Sequence, residues 1–275
     1  MHLKLGIHRM DLQLYYSPRS CAFAPHILLY DADANFDVIK INFDKNEQNS
    51  TDYLKVNPKG RVPALLTPEG ILTETPAILL YIAQLYPDKN LAPNDAFLLA
   101  EAQAFNMFLA STVHVAHAHK HRGNRWVDDK EAEKAMTAKV LENMTECASM
   151  IEKHYFKGPY VLGENYSICD PYLALIFRWL YLDGVKITAF PDLCKHNELM
   201  RGILCKRQWR FTITPTLPEN LMPSSTSHSS KSPWVFAQGL FKWQEWRGSN
   251  PQPPVLETGA LPVELHSFKL AFNRL

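Results

Sequence analysis

One cysteine, Cys21, stands where the apolar strand in "YYSPRSCAFAPHILLY" (residues 15–30) gives way to a helical pattern. Backbone N–H groups at a helix N-terminus carry partial positive charge, which favours a thiolate, both a nucleophile and a good hydrogen-bond acceptor. A small buried residue without a chemical role is the other reading, and position alone leaves both open. Three further stretches carry residue types suited to binding or chemistry. In "NPKGRVP", Val62-Pro63 lies just before a strand, where about one X–Pro bond in twenty is cis. A cis Pro63 would turn the Val62 backbone outward to pair with a peptide-like ligand as with another strand; a plain turn feeding an edge strand is the simpler reading. In "LTETP", Thr75 suits an N-cap and Pro76 the first helical position. That helix end can take a carboxylate and Glu74 an ammonium, which suits an amino-acid head group; the alternative is a capped helix beside a solvated glutamate. Finally, His114, His117, His119 and His121 cluster, with His117 and His121 one turn apart. Two-ligand metal binding would use that spacing, but no carboxylate or cysteine stands near in sequence, and the expectation is a polar helix end without a metal.

The elements that position these residues alternate at first. "LQLYYS" reads as a strand, residues 22 to 33 as a helix, and "FDVIKINF" (36–43) as a second strand with alternating apolar residues. "VPALLT" and "ILTE" flank the turn Pro68-Glu69-Gly70, a hairpin. A helix then carries Ile78, Leu79, Tyr81, Ile82 and Leu85 at helical spacing. The order β-α-β, hairpin, helix makes an α/β unit. After the polar join "YPDKNLAPND" the strand signals stop. Residues 95 to 122 carry Phe97, Leu98, Ala102, Phe105, Phe108, Leu109 and Val113 at helical spacing, and residues 128 to 155 repeat the pattern. Ser167-Ile168-Cys169-Asp170 fits a capping box opening an apolar helix over 168–183.

Composition narrows the classes. The 275 residues suffice for roughly two domains, and 46% hydrophobic against 21% charged residues allows a sizeable core. A net charge of +1 gives no nucleic-acid footprint. No apolar run approaches the roughly 20 residues of a membrane span, and the start lacks a signal-peptide pattern. The five cysteines, Cys21, Cys147, Cys169, Cys194 and Cys205, form no C-x-x-C pair, as expected of free thiols in a reducing compartment.

Taken together, "YYSPRSCAFAPHI", "VNPKGRVPAL", "LTETPAILLYIA" and "YSICDPYLALIFRW" resemble the soluble glutathione transferases, most like the beta, largely bacterial, class, in which a cysteine follows the first strand and a histidine, here His26, lies five residues on. The resemblance implies a thioredoxin-like α/β domain over 10–88 and an all-α helical-bundle domain over 95–205, in a cytoplasmic homodimer active in detoxification. It implies glutathione as co-substrate, no metal, no nucleic acid and no membrane. Cys21 would lie against the glutathione sulfur, Val62, before a cis Pro63, would pair with the cysteinyl part, and Glu74 and Thr75 would hold the γ-glutamyl end. Tyr16 would be near the site, and His114 would reach it from the helical domain. The family's next residue is commonly lysine; here it is Val115. The expected activity is conjugation of the activated thiolate to small hydrophobic electrophiles. A covalent thiol–disulfide reaction at Cys21 and a non-catalytic binding role are the alternatives. Residues 1–9 read as an extra leader, and the Pro-, Ser- and Thr-rich residues 206–275 as an irregular tail unlike the family, resembling read-through of an intron or interspersed repeat.

Overall fold

A computed structural model describes residues 12–206. The expected leader and tail lie outside the described residues. Strands β1 (Leu12–Tyr16), β2 (Phe36–Lys40), β3 (Ala64–Thr67) and β4 (Gly70–Thr73) form one sheet in the order β2-β1-β3-β4. β1 pairs parallel with β2 and antiparallel with β3, and β3 pairs antiparallel with β4. The parallel pair needs a crossover, supplied by helix α1 (Phe23–Asp31). Leu12 and Leu14 alternate along β1 with less buried residues and face the core, with Ala24, Leu28 and Leu29 of α1. Helix α3 (Thr75–Leu85) adds Ile78, Leu79 and Ile82, all fully buried, so the helical spacing read from the sequence is the packing face.

A short helix not expected from the sequence, α2 (Thr51–Val56), precedes the Val62-Pro63 step. Ser50 caps it, accepting from Tyr53 N–H at 3.2 Å. Its polar residues hid it, since only Tyr53 is buried. That ring joins Ala22, Ile41 and Val62 in a small second core beneath the segment that carries Cys21.

The rest is helical. Helix α4 (Ala96–Phe108), capped by Asp95, runs through a π-helical turn (Leu109–Val113) into α5 (His114–Arg122). Such turns recur at functional sites, and this one sets which face carries His114. The joined helix, Ala96–Arg125, is long and apolar enough to cross a membrane by length and composition, its most apolar 18-residue window having a mean hydropathy of 1.3. This corrects the expectation that no run comes near that length. Its Ala102, Phe105, Leu109 and Val113 are buried in the core as expected, whereas Phe97 is 72% exposed and Leu98 is also exposed. Helix α6 (Lys130–Met150), capped by Asp129, follows, and α7 (Asp170–Leu182) and α8 (Pro191–Lys206) close the bundle.

The capping box differs from its simple form. Asp170 reaches back to Ser167 N–H at 2.7 Å as expected, but the Ser167 hydroxyl accepts from Cys169 N–H, two residues on. The fully buried Asp170 also accepts from Val161 N–H at 2.9 Å and meets His196 Nε2 at 3.0 Å. One continuous cluster of buried residues runs from Leu12 and Leu28 through Ile78, Phe105 and Met144 to Leu180 and Leu193, so the α/β and helical lobes share a core.

Candidate functional site

The three binding motifs converge. The Val62-Pro63 peptide is cis, as the family resemblance implied and against the plain turn that spacing alone favoured, and a second cis bond, Gly158-Pro159, was not foreseen. The Cys21 thiol donates to Val62 C=O at 3.2 Å, bridging 41 residues of sequence. Thr75 is buried at the first turn of α3, where it favours the Cys21 anion against the effect of burial. Tyr53 and Asn57 anchor the strand entry, each donating to Arg61 C=O at 2.6 Å.

One expectation about this site is corrected and one open reading is narrowed. The α3 N-cap is Glu74 rather than Thr75, and Pro76 therefore falls one position later than the first helical residue. Glu74 is held at φ +73°, a region that a non-glycine side chain seldom adopts and that recurs at ligand clamps. The Glu74 carboxylate meets Lys59 Nζ at 2.5 Å, and Lys59 also donates to Thr73 Oγ1 at 2.7 Å. Secondly, of the two readings left open for Cys21, the helix-activated thiolate is the one disfavoured. Helix α1 starts two residues later, at Phe23, and burial raises the Cys21 pKa against the opposing pull of Thr75 and Arg122. At neutral pH it is a thiol and a hydrogen-bond donor.

His114 lies on the inner side of α5, its ring 4.8 Å from that of Trp179. Burial and the nearby Arg122 charge push its pKa down to about 3, so the imidazole is neutral. Its Nε2 lies 3.4 Å from Arg122 Nη2; arginine only donates, so Nε2 accepts and the proton sits on Nδ1. The structure therefore places His114 against Arg122, with no direct hydrogen bond to Cys21. Tyr16 packs its ring 5.3 Å from His26, and its carbonyl accepts from Ile41 N–H. His117, half of the spacing weighed for a metal, meets Asp183 Oδ2 at 2.6 Å and stacks on Trp179.

Sequence reasoning missed Arg122 and Lys59. Arg122 follows His114 by eight residues, a spacing that keeps both on neighbouring faces of one helix. That spacing is the signal the sequence holds for Arg122.

The buried imidazoles give a pH dependence. His26 is pushed to about 4 by burial and His114 to about 3, both below the unfolded value of ~6.5. Above that value both states are neutral and nothing is gained. As pH falls below it, the unfolded chain takes up protons that the folded chain refuses, so stability is lost by up to about 1.4 kcal/mol per pH unit for each histidine. Urea midpoints between pH 6.5 and 5 should drop, and His114→Gln should remove part of that slope. Parallel slopes for both proteins would refute the assignment.

The N-terminal domain model of the glutathione S-transferases matches residues 10–84. Glutathione S-transferase GstA of Escherichia coli O157:H7 is 31% identical over 192 residues, covering 69% of this chain and 92% of that protein. A zeta-class glutathione S-transferase of Euphorbia esula is 36% identical over 200 residues, covering 70% and 86%. Among solved structures, a glutathione transferase homolog from Sulfitobacter with bound glutathione is 39% identical, with a TM-score of 0.70 over 73% of this chain and 99% of that one. The bacterial beta-class enzyme of Sphingomonas chungbukensis is 31% identical, with a TM-score of 0.60 over 71% and 98%. The fold and these matches place the chain in the glutathione S-transferase family, of bacterial type.

Proposed function

We propose that this protein is a glutathione transferase that binds glutathione along Val62, Pro63, Glu74 and Thr75, beside Tyr16, and conjugates its thiolate to small hydrophobic electrophiles. The observation that carries this reading is the Cys21 thiol donating to the Val62 carbonyl at the cis Val62-Pro63 step. A bound glutathione sulfur would offer Cys21 a charged acceptor better than that carbonyl. Glutathione's thiol, near the free-cysteine pKa of ~8.5, is mostly protonated at neutral pH; a fall of two units needs about 2.7 kcal/mol. Cys21, Thr75 and the Arg122 charge are the groups on hand to supply it. The thiolate's lone pair then forms the C–S bond while the leaving group departs with its own electron pair. His114 acts through Arg122, as a positioning residue.

A raised Cys21 pKa argues against covalent thiol–disulfide exchange, which needs the thiolate. Cys21→Ala separates the two. Conjugation of a chlorodinitrobenzene should fall by about tenfold, with the pH profile of kcat/KM moved up by about one unit, the worth of one weak donor to an anion. An unmodified protein that conjugates nothing would sink the proposal; so would a Cys21→Ala loss confined to reduction of a glutathione mixed disulfide.

The working form is proposed to be a cytoplasmic homodimer with a detoxifying role. Free thiols at Cys21, Cys147, Cys169 and Cys194 suit a reducing compartment. The exposed Phe97 and Leu98, adjacent at the start of α4, offer an apolar surface for a second copy. Sedimentation should give a dimer that Phe97→Glu shifts toward monomer; a monomer before substitution would refute this.

A further inference from the structure

Lys59 sets an ammonium of the chain's own where the proposed glutathione would bring one. Its Nζ donates to Glu74 Oε1 at 2.5 Å and to Thr73 Oγ1 at 2.7 Å, reaching from the turn after α2 to the end of β4 and the start of α3. The turn that carries Lys59 is fixed from beneath. The buried Asn57 side chain accepts from Lys59 N–H at 3.2 Å and donates to Arg61 C=O, so it grips the turn on both sides of Gly60. Gly60 N–H donates to Asn57 C=O at 2.9 Å. Gly60 itself sits at φ +59°, and a Cβ there would lie 2.9 Å from Asn49 Oδ1 and 3.2 Å from Gln48 C=O, so the turn packs too closely for a side chain. One closely packed turn therefore carries both Lys59 and the Val62 backbone assigned to the ligand. The Lys59–Glu74 pair is itself partly exposed, so it is weak and exchanges readily.

A seat made of one carboxylate and one hydroxyl fits any primary ammonium, a compact charge with three rotatable donors. A ligand that brings its own ammonium displaces Lys59. A ligand that lacks one leaves Lys59 in place, and Glu74 keeps its counter-charge. Without Lys59, that second ligand would cover a bare carboxylate, at the cost of an unpaired charge drawn out of water. We infer that Lys59 makes the γ-glutamyl subsite tolerant of a missing ammonium, so that the protein also takes cysteinyl peptides whose terminal acyl group is of the glutaryl type. Such a ligand keeps its terminal carboxylate for the backbone N–H groups at the start of α3. This rests on the transferase reading above and concerns which thiol enters; the bond-forming step is the same. Lys59 acts through Glu74, as a residue that sets specificity.

The test is calorimetric binding of two thiol-blocked ligands to the full chain: S-methylglutathione, and its desamino form with glutaryl in place of γ-glutamyl. Blocking the thiol keeps the readout independent of turnover. The unmodified protein should bind the desamino form within about tenfold of S-methylglutathione. In Lys59→Met the ratio of the two dissociation constants should rise by about fivefold, the worth of one exposed ion pair, through weaker binding of the desamino form. In Glu74→Ala it should fall to about one, because the carboxylate that tells the two ligands apart is gone. A merely structural role for Lys59 would weaken both ligands alike and leave the ratio unmoved, and that result overturns the inference. So does an unmodified protein that binds S-methylglutathione and not the desamino form. If both ligands bind and the protein still conjugates nothing, the transferase reading fails by itself and the ratio still decides the role of Lys59. If neither binds, the glutathione site is refuted and this inference falls with it.

Discussion

Asp170→Ala is expected to destabilise the protein by about 3–5 kcal/mol, the cost of breaking a buried charged network from one side. The side chain is fully buried and serves four partners: Ser167 N–H, the Ser167 hydroxyl, Val161 N–H and His196 Nε2. Alanine would leave two backbone donors, a hydroxyl and a ring nitrogen facing a hole, each costing about 1–3 kcal/mol unless water enters. The network also joins three segments, since Val161 belongs to the loop after α6 and His196 to α8. Asp170→Asn keeps the shape and one acceptor oxygen but turns an NH2 toward one pair of donors, so its cost should be smaller though still measurable. Urea titrations of the three proteins, with equal m-values, check this. A loss under 1 kcal/mol in the alanine variant would mean that the helical lobe does not depend on this carboxylate.

The largest effect on ligand binding is expected at Glu74. If its carboxylate receives the ammonium of the γ-glutamyl group, Glu74→Ala removes a charge-assisted bond and should raise the glutathione KM by about 10- to 100-fold, with a much smaller change in kcat. The existing Lys59 pair does not stand in the way. Its side chains are 43% and 64% exposed, and exposed pairs contribute only about 0–1 kcal/mol, so an incoming ammonium displaces Lys59 at little cost. Lys59→Met separates the contacts: losing a competitor should leave the KM equal or lower. Initial rates across glutathione concentration for the two variants decide it, and a Glu74→Ala protein with an unchanged KM would remove Glu74 from the site.

The sequence carried the site's backbone better than its side-chain chemistry. Val62-Pro63, the hairpin turn and the stripe of Ile78, Leu79 and Ile82 are local patterns, and each stands where its pattern put it. Thr75 and Cys21 went differently because their surroundings are not local. Thr75 looks like a cap from its neighbours alone, yet it is the first helical residue, and Glu74 takes the cap position instead. The helix-start thiolate, one of the two readings left open, is disfavoured because Cys21 packs against the main core and is desolvated there. Arg122 was invisible as a site residue because its charge acts on Cys21 only across the packing of the α/β and helical lobes. Phe97 and Leu98 fit the helical stripe by spacing but face outward, since periodicity says which residues share a face and not what covers it.

The shared core bears on how such chains can be recombined. The composition shift near residue 90 looks like a seam where one half could be traded for that of a relative. In packing no seam exists there: Leu28 and Leu29 of α1 belong to the same buried cluster as Leu173 and Ile176 of α7, and Ile168 N–H donates to Leu91 C=O at 2.8 Å. A chimera cut at that boundary would inherit two mismatched halves of one interior. Its successful parents would be those whose α1 and α7 faces had already been fitted to one another, so the two halves are best regarded as a single heritable module.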